Sequence, residues 1–177
     1  ALKPRMDEIL RTPRKRIDLM HEVFAGDLPR LESRFLEQSQ NAAGQADANA
    51  MLMIGRRHIR DMNSWLHNLK PYARGKNRCT MKLNSDDAAR IGLKDGSHAR
   101  VVSSVGETFV PVEITEEMMD GVISIPHGFG HVYPDSKQPY AKELLPGVSC
   151  NDLIDESLDV ASSTCIVNGV PVQVFPG

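Results

Sequence analysis

From residue 51 onward, apolar residues fall in short runs cut by glycines and polar turns. This is the pattern of short β-strands, not of long helices. Met51-Leu52-Met53-Ile54 reads as a buried strand stopped by Gly55. Residues 98–104 and 108–115 flank Val105-Gly106-Glu107 as a hairpin, and 122–126 form a further strand. A second hairpin is expected where Ile166-Val167 meets the turn Asn168-Gly169 and residues 170–175. Two short helices sit between strands. Residues 85–92 have Ser85 as cap, Asp86 and Asp87 in the first turn and Gly92 as stop; 115–121 repeat the pattern and end at Gly121. A doubly wound sheet needs crossover helices of three turns or more, and none is present. The class is therefore mainly β with short helices, closing as a small barrel.

Residues 1–50 have a different character. Pro4, Pro13 and Pro29 interrupt them, and Arg11 to Arg16 is a basic run. Residues 16–20 read as a short strand or extended arm. A helix is expected from Leu28, with Pro29 in its first turn and Leu28, Leu31, Phe35 and Leu36 on one face. Residues 39–50 are a polar linker or frayed helix end. We divide the chain into a connector arm and helix, 1–50, and a barrel, 51–177. The chain opens on Ala1-Leu2-Lys3-Pro4 without a methionine, as expected of a processed product or an excised piece.

The formal net charge is only −2, but it is unevenly spread. Residues 1–78 carry 15 Lys+Arg against 9 Asp+Glu, and the rest carry 6 against 14. An anionic ligand should meet the first part. Three widely spaced cysteines, Cys79, Cys150 and Cys165, give no disulfide framework, which favours a reducing, cytoplasmic location. The N-terminus has no apolar signal core, and no membrane segment is expected. Aromatic residues make up 5% of the chain, too few for the stacking platforms of a nucleic-acid binder.

Candidate chemistry lies in three loops. The first follows the strand at 51–54 and holds Gly55, Arg56, Arg57, His58, Asn63, Ser64, His67 and Asn68. Its guanidinium groups suit phosphate oxygens, and its amides and imidazoles suit the edge of a heterocycle. Arg-rich loops are commonly just solvated, but such a loop seldom needs two His, two Asn and a Trp. The second is Pro126-His127-Gly128-Phe129-Gly130-His131. His127 and His131 have the i, i+4 spacing of helical zinc ligands, but two glycines argue against a helix and no third ligand accompanies them. A Gly-rich loop presenting backbone N–H groups and imidazoles is the better reading. The third pairs Asn151 with Asp152, which either fix a turn or present an amide and a carboxylate to the same ligand. No nucleophile elbow, phosphate loop or dinucleotide glycine fingerprint is present.

These blocks occur in the order of a known family. Residues 51–58 and 63–68, Asp86 to Gly96, Val110 to Thr115, Gly121 to His131, Val148 to Leu153 and Asn168 to Val174 resemble the C-terminal domain of molybdopterin oxidoreductases of the dimethyl-sulfoxide-reductase type. Residues 12–19 and 27–31 resemble that family's connector. The resemblance implies a six-stranded double-psi β-barrel closing over molybdopterin guanine dinucleotide, with molybdenum or tungsten in the full enzyme. Gly55, Arg56, Arg57, His58, Asn63, Ser64, His67, Asn68, His127, Gly128, His131, Asn151 and Asp152 would then bind cofactor. The family's cysteine motif for an iron–sulfur cluster and its metal-ligand segment are absent from the sequence given. The expected partners are the remaining domains of the parent oxidoreductase, and the piece alone should not catalyse redox chemistry.

Other proteins built on this barrel set the alternatives. A pyruvoyl-dependent decarboxylase cleaves itself at a Gly-Ser bond, and Gly96-Ser97 is such a dipeptide, but a common one in turns. A protein-binding barrel would not need Arg56, His127 and Asn151 together. A stand-alone small subunit of a molybdenum or tungsten enzyme fits less well with the connector character of 1–50.

Overall fold

A computed structural model describes residues 3–43 and 47–177. Six strands, β1 (Ala50–Arg56), β2 (Met81–Leu83), β3 (His98–Val102), β4 (Glu107–Ile114), β5 (Val122–Pro126) and β6 (Val170–Pro176), close into a barrel in the order β1-β5-β2-β4-β3-β6. β1 runs parallel to β5 and β2 parallel to β4, while the other pairs are antiparallel. This is the double-psi barrel, and the strand pattern explains its core. Alternate residues point inward: Met51 and Met53 from β1, Ala99 and Val101 from β3, Val110 and Val112 from β4, Val170, Val172 and Val174 from β6. β5 departs from alternation, with Ile123, Ser124, Ile125 and Pro126 all buried, because it is covered on both sides. Each fully buried aliphatic side chain contributes about 1.5–3 kcal/mol relative to exposure.

Helices are peripheral: α1 (Met6–Ile9), α2 (Glu22–Ala43), α3 (Lys70–Ala73), α4 (Ser85–Ile91) and α5 (Pro139–Leu144). The end of α4 is as expected, with Gly92 left-handed at φ 76°. Its cap is not Ser85 but Asn84, whose side-chain oxygen accepts from the Asp86 N–H at 2.8 Å.

Three other elements differ from the sequence reading. Residues 115–121 form a turn, not a helix. The Thr115 hydroxyl accepts from the Glu117 N–H, and Asp87 takes the Gly121 N–H at 2.7 Å, so side chains capture the groups a helix would use. Helix α2 starts at Glu22, which leaves Pro29 inside it instead of in the first turn. The Leu28, Leu31 and Leu36 face is largely exposed. Ile166-Val167 does not pair with β6. β6 lies between β1 and β3, held there by Asn168, whose side-chain oxygen accepts from the Gly55 N–H at 2.8 Å, and by the Gly169 N–H on the Met53 carbonyl at 2.9 Å. Of the two alternatives for residues 16–20, the structure has the arm, exposed and without strand pairing. Of the expected linker, 39–43 continue α2 and 44–46 lie outside the described residues.

Candidate functional site

The parallel pairing of β1 with β5 puts their C-terminal ends side by side, and the His127 N–H donates to the Arg56 carbonyl at 3.0 Å. The antiparallel partners bring the starts of β2 and β6 to the same end. The loops following β1 and β5, the β3–β4 hairpin tip and the 3-10 turn Cys150–Leu153 therefore meet at one end of the barrel.

Their contacts are close. A Cβ on Gly128 (φ 92°) would lie 2.6 Å from the Asn63 carbonyl carbon and 3.2 Å from the Ser64 nitrogen. Only glycine lets the two loops touch there. A Cβ on Gly106 would strike the Asp152 carbonyl, so the hairpin tip packs on the 150–153 turn. Gly130 faces Ser149, and the Tyr133 hydroxyl donates to the Asp152 carboxylate. The three loops singled out in the sequence share one surface.

Within that surface the named residues divide in two. Arg56 faces inward. Its Nη1 donates to the Ser124 carbonyl at 2.6 Å, and its Nη2 to the Thr80 carbonyl at 2.7 Å, the Thr80 hydroxyl at 2.8 Å and the Arg78 carbonyl at 3.2 Å. The Thr80 hydroxyl in turn donates to the Glu113 carboxylate at 2.6 Å. Arg56 thus clasps β5 to the segment entering β2. His67 and His131 are buried, with His67 Nδ1 2.8 Å from His131 Nε2 and the His67 ring 4.5 Å from that of Phe129. Burial pulls both imidazoles below their ordinary value. At His67 the Asp61 carboxylate works against burial and Arg78 works with it; at His131 the His67 ring adds to the lowering. The Asn68 side-chain oxygen accepts from the Tyr140 and Ala141 N–H groups at 3.0 and 3.3 Å, capping α5 from outside.

The other residues face solvent. Arg57 is exposed and bonds the Asn63 side-chain oxygen, a neutral partner, and among the described residues it makes no ion pair. His58, Asn151 and Asp152 are exposed; Ser64 and His127 are half-buried. Gly55 is exposed too, but its N–H is taken by Asn168 and a Cβ would meet ordinary contact at 3.6 Å, so close approach is needed at Gly128 instead. Ile59, Met62 and Trp65 project apolar surface from the same loop. Met62 and Asn63 bend that loop with φ of 44° and 61°.

Sequence reasoning missed Asp61 and Arg78. Asp61 is 3% exposed and accepts from Arg78 at 2.7 Å. Asp61 lies in a loop already singled out, while Arg78 carries no local signal because its partner is 17 residues away. A groove of about 710 Å³ lies elsewhere, along Met51, Leu52, Ser103, Pro171, Val172 and Gln173. It offers one carboxylate, Asp155, and no cation, so it does not suit a phosphate ligand.

Residues 51–171 match the family described as "Molydopterin dinucleotide binding domain". The chain belongs to that family. As a molybdopterin dinucleotide-binding domain, it is 27% identical over 126 residues to a tetrathionate reductase subunit of Salmonella typhimurium, covering 62% of this chain and 12% of the relative. It is 24% identical over 110 residues to the molybdopterin-containing subunit of the arsenate respiratory reductase from Chrysiogenes arsenatis, covering 60% and 13%. The chain thus spans about an eighth of the length of these relatives. Among solved structures it resembles acetylene hydratase from Pelobacter acetylenicus, with a TM-score of 0.60 and 15% identity over 72% of this chain and 18% of that one. That likeness speaks to the fold.

The exposed guanidinium, amides and carboxylate have the chemistry to meet the family's ligand. Arg57 suits a diphosphate, and the Asn63, Asn151 and Asp152 side chains suit the polar edge of a base. Gly128 adds a close loop contact where any side chain would intrude.

Proposed function

We propose that the loop end of the barrel covers molybdopterin guanine dinucleotide inside a larger molybdenum or tungsten oxidoreductase. The remaining domains of that parent would carry the iron–sulfur cluster and the metal ligand. When bound, the group supplies the metal centre at which the parent's reaction takes place. The chain's own residues bind, orient and exclude water. Arg57 grips the diphosphate; Asn63, Ser64 and His58 hold adjoining polar atoms. Asp152, its carboxylate already placed by Tyr133, accepts from the donor edge of the guanine with Asn151 beside it. Exposed Ile59, Met62 and Trp65 give the neighbouring domains an apolar surface to cover. Cys79, Cys150 and Cys165 are all free, in keeping with a cytoplasmic location. Among the described residues, no helix is long and apolar enough to cross a membrane.

The observation that carries this reading is the exposed Arg57, bonded only to a neutral amide, at the end of the barrel where the three polar loops meet. Arg57→Ala in the parent enzyme should weaken cofactor retention about tenfold to a hundredfold, the loss of a charge-assisted contact of ~1.5–3 kcal/mol. Arg74→Ala, a change at an exposed side chain, should leave it intact. Full molybdopterin content in both variants would return Arg57 to the role of a solvated loop residue.

A further inference from the structure

The inward-facing half of the site bonds protein groups and joins the loops proposed to bind. His67 comes from the loop after β1 and His131 from the loop after β5, and both rings are out of solvent, at 0% and 7% exposure. We propose that Asp61, His67 and His131 form a proton-sensitive latch that positions the two loops against each other.

The carboxylate decides how the rings are protonated. His67 Nε2 stands 3.1 Å from Asp61 Oδ1, without the alignment of a full hydrogen bond. A lone pair at that nitrogen would face a carboxylate oxygen, so the proton belongs there. His67 Nδ1 is then an acceptor, and His131 Nε2 must be the donor across the 2.8 Å gap. Protons point one way along the chain, from His131 to His67 to Asp61, and Asp61 is anchored by Arg78 Nη2 at 2.7 Å and Nε at 3.1 Å. With both rings neutral, the charges acting on His67 are Asp61 and Arg78, which balance, and Arg56 also acts on Asp61 from the end of β1.

The groups facing the pair are Asp61 on its own loop, Arg78 from the segment entering β2, and the Gly128 carbonyl and Phe129 ring from the loop after β5. An added proton leaves a net positive charge in a buried site beside Arg78. If it enters His67, the Nδ1 hydrogen meets the His131 hydrogen, and His131 must change tautomer to keep the bond. Both imidazoles are pulled below the ordinary value of 6.5, by burial first. The folded chain therefore binds fewer protons than the unfolded chain in the acid range. The latch's stabilisation is complete above about pH 6.5 and is lost as pH falls from there through the folded values.

The latch stands on the ring and carboxylate geometry together with the lowering of both imidazoles by burial; its consequence, that acid loosens cofactor, rests on the proposed function. The test needs no cofactor. Imidazole nitrogen NMR on the 177-residue chain at pH 8 should show the proton on Nε2 of both His67 and His131. The Leu66, His67 and His131 amides bond to the Asp61, Ser64 and Pro146 carbonyls. Their exchange protection, corrected for intrinsic rates, should fall about tenfold or more between pH 8 and pH 5, while β3 and β4 amides hold. His131→Gln restores an amide donor toward His67 and should keep protection at pH 8 with a much smaller acid loss. His131→Leu has no donor and should be loose at both pH values. A proton on His67 Nδ1 at pH 8, protection that does not change with pH, or Gln and Leu variants that behave alike would each overturn the latch.

Discussion

Alanine at position 128 will destabilise the chain far more than its one added carbon suggests. Gly128 is held at φ 92°, where an L side chain is strained, and its Cβ would press on the Asn63 carbonyl and the Ser64 nitrogen. Those atoms are backbone, so relief requires the whole loop after β1 to move, with the His67–His131 contact and the Arg57–Asn63 pair on it. Strain plus overpacking should cost about 2–4 kcal/mol, a drop in Tm of roughly 5–15 °C for a chain this long. Gly92→Ala is the comparison. At φ 76° with nothing within 4 Å of the added carbon, it carries the left-handed penalty alone, about 1–2 kcal/mol. Thermal unfolding by circular dichroism separates the two. Equal losses would mean that the loops do not meet at Gly128.

Arg56 and Arg57 are neighbours with opposite expected effects. Arg56→Ala removes a charged donor from the Ser124, Thr80 and Arg78 carbonyls together, leaving partly buried acceptors without it. The expected cost is about 3–5 kcal/mol, seen as a lower urea midpoint with little change in slope. Arg57→Ala, an exposed change, should alter stability by no more than ~0.5 kcal/mol. If Arg57→Ala proved the destabilising variant and Arg56→Ala neutral, the inward and outward roles would be reversed.

That pair also shows where the sequence stopped being informative. The apolar runs at β1, β3, β4 and β5, cut by glycines, give the barrel directly because strand length and alternation are local properties. The three residues of β2 and the short helices α3 and α5 are too brief to carry a period, and their existence depends on partners: β2 on β4 and β5, and α5 on the Asn68 cap. The candidate loops were legible as polar clusters next to strand ends. What each side chain does there was not. Arg56 and Arg57 look equivalent in sequence, and only the last residue of β1 turns its guanidinium into the barrel wall. His67 and His131 are 64 positions apart, so nothing local shows that their rings meet. Residues 115–121 match a capped helix, but Asp87 and Asn84, from α4 and its cap, bond the Gly121 N–H and the Met118 carbonyl.

An experimental structure of the cofactor-loaded parent enzyme tests the division of the loop end into binding and bracing residues most directly. The dinucleotide's diphosphate should lie within hydrogen-bonding distance of Arg57, and its base against Asn151 and Asp152. The Gly128–Asn63 contact should be intact beneath it, with Arg56, His67 and His131 touching protein only. A dinucleotide seated along the Met51–Val172 groove, or one whose phosphates contact Arg56 instead of Arg57, would contradict that division.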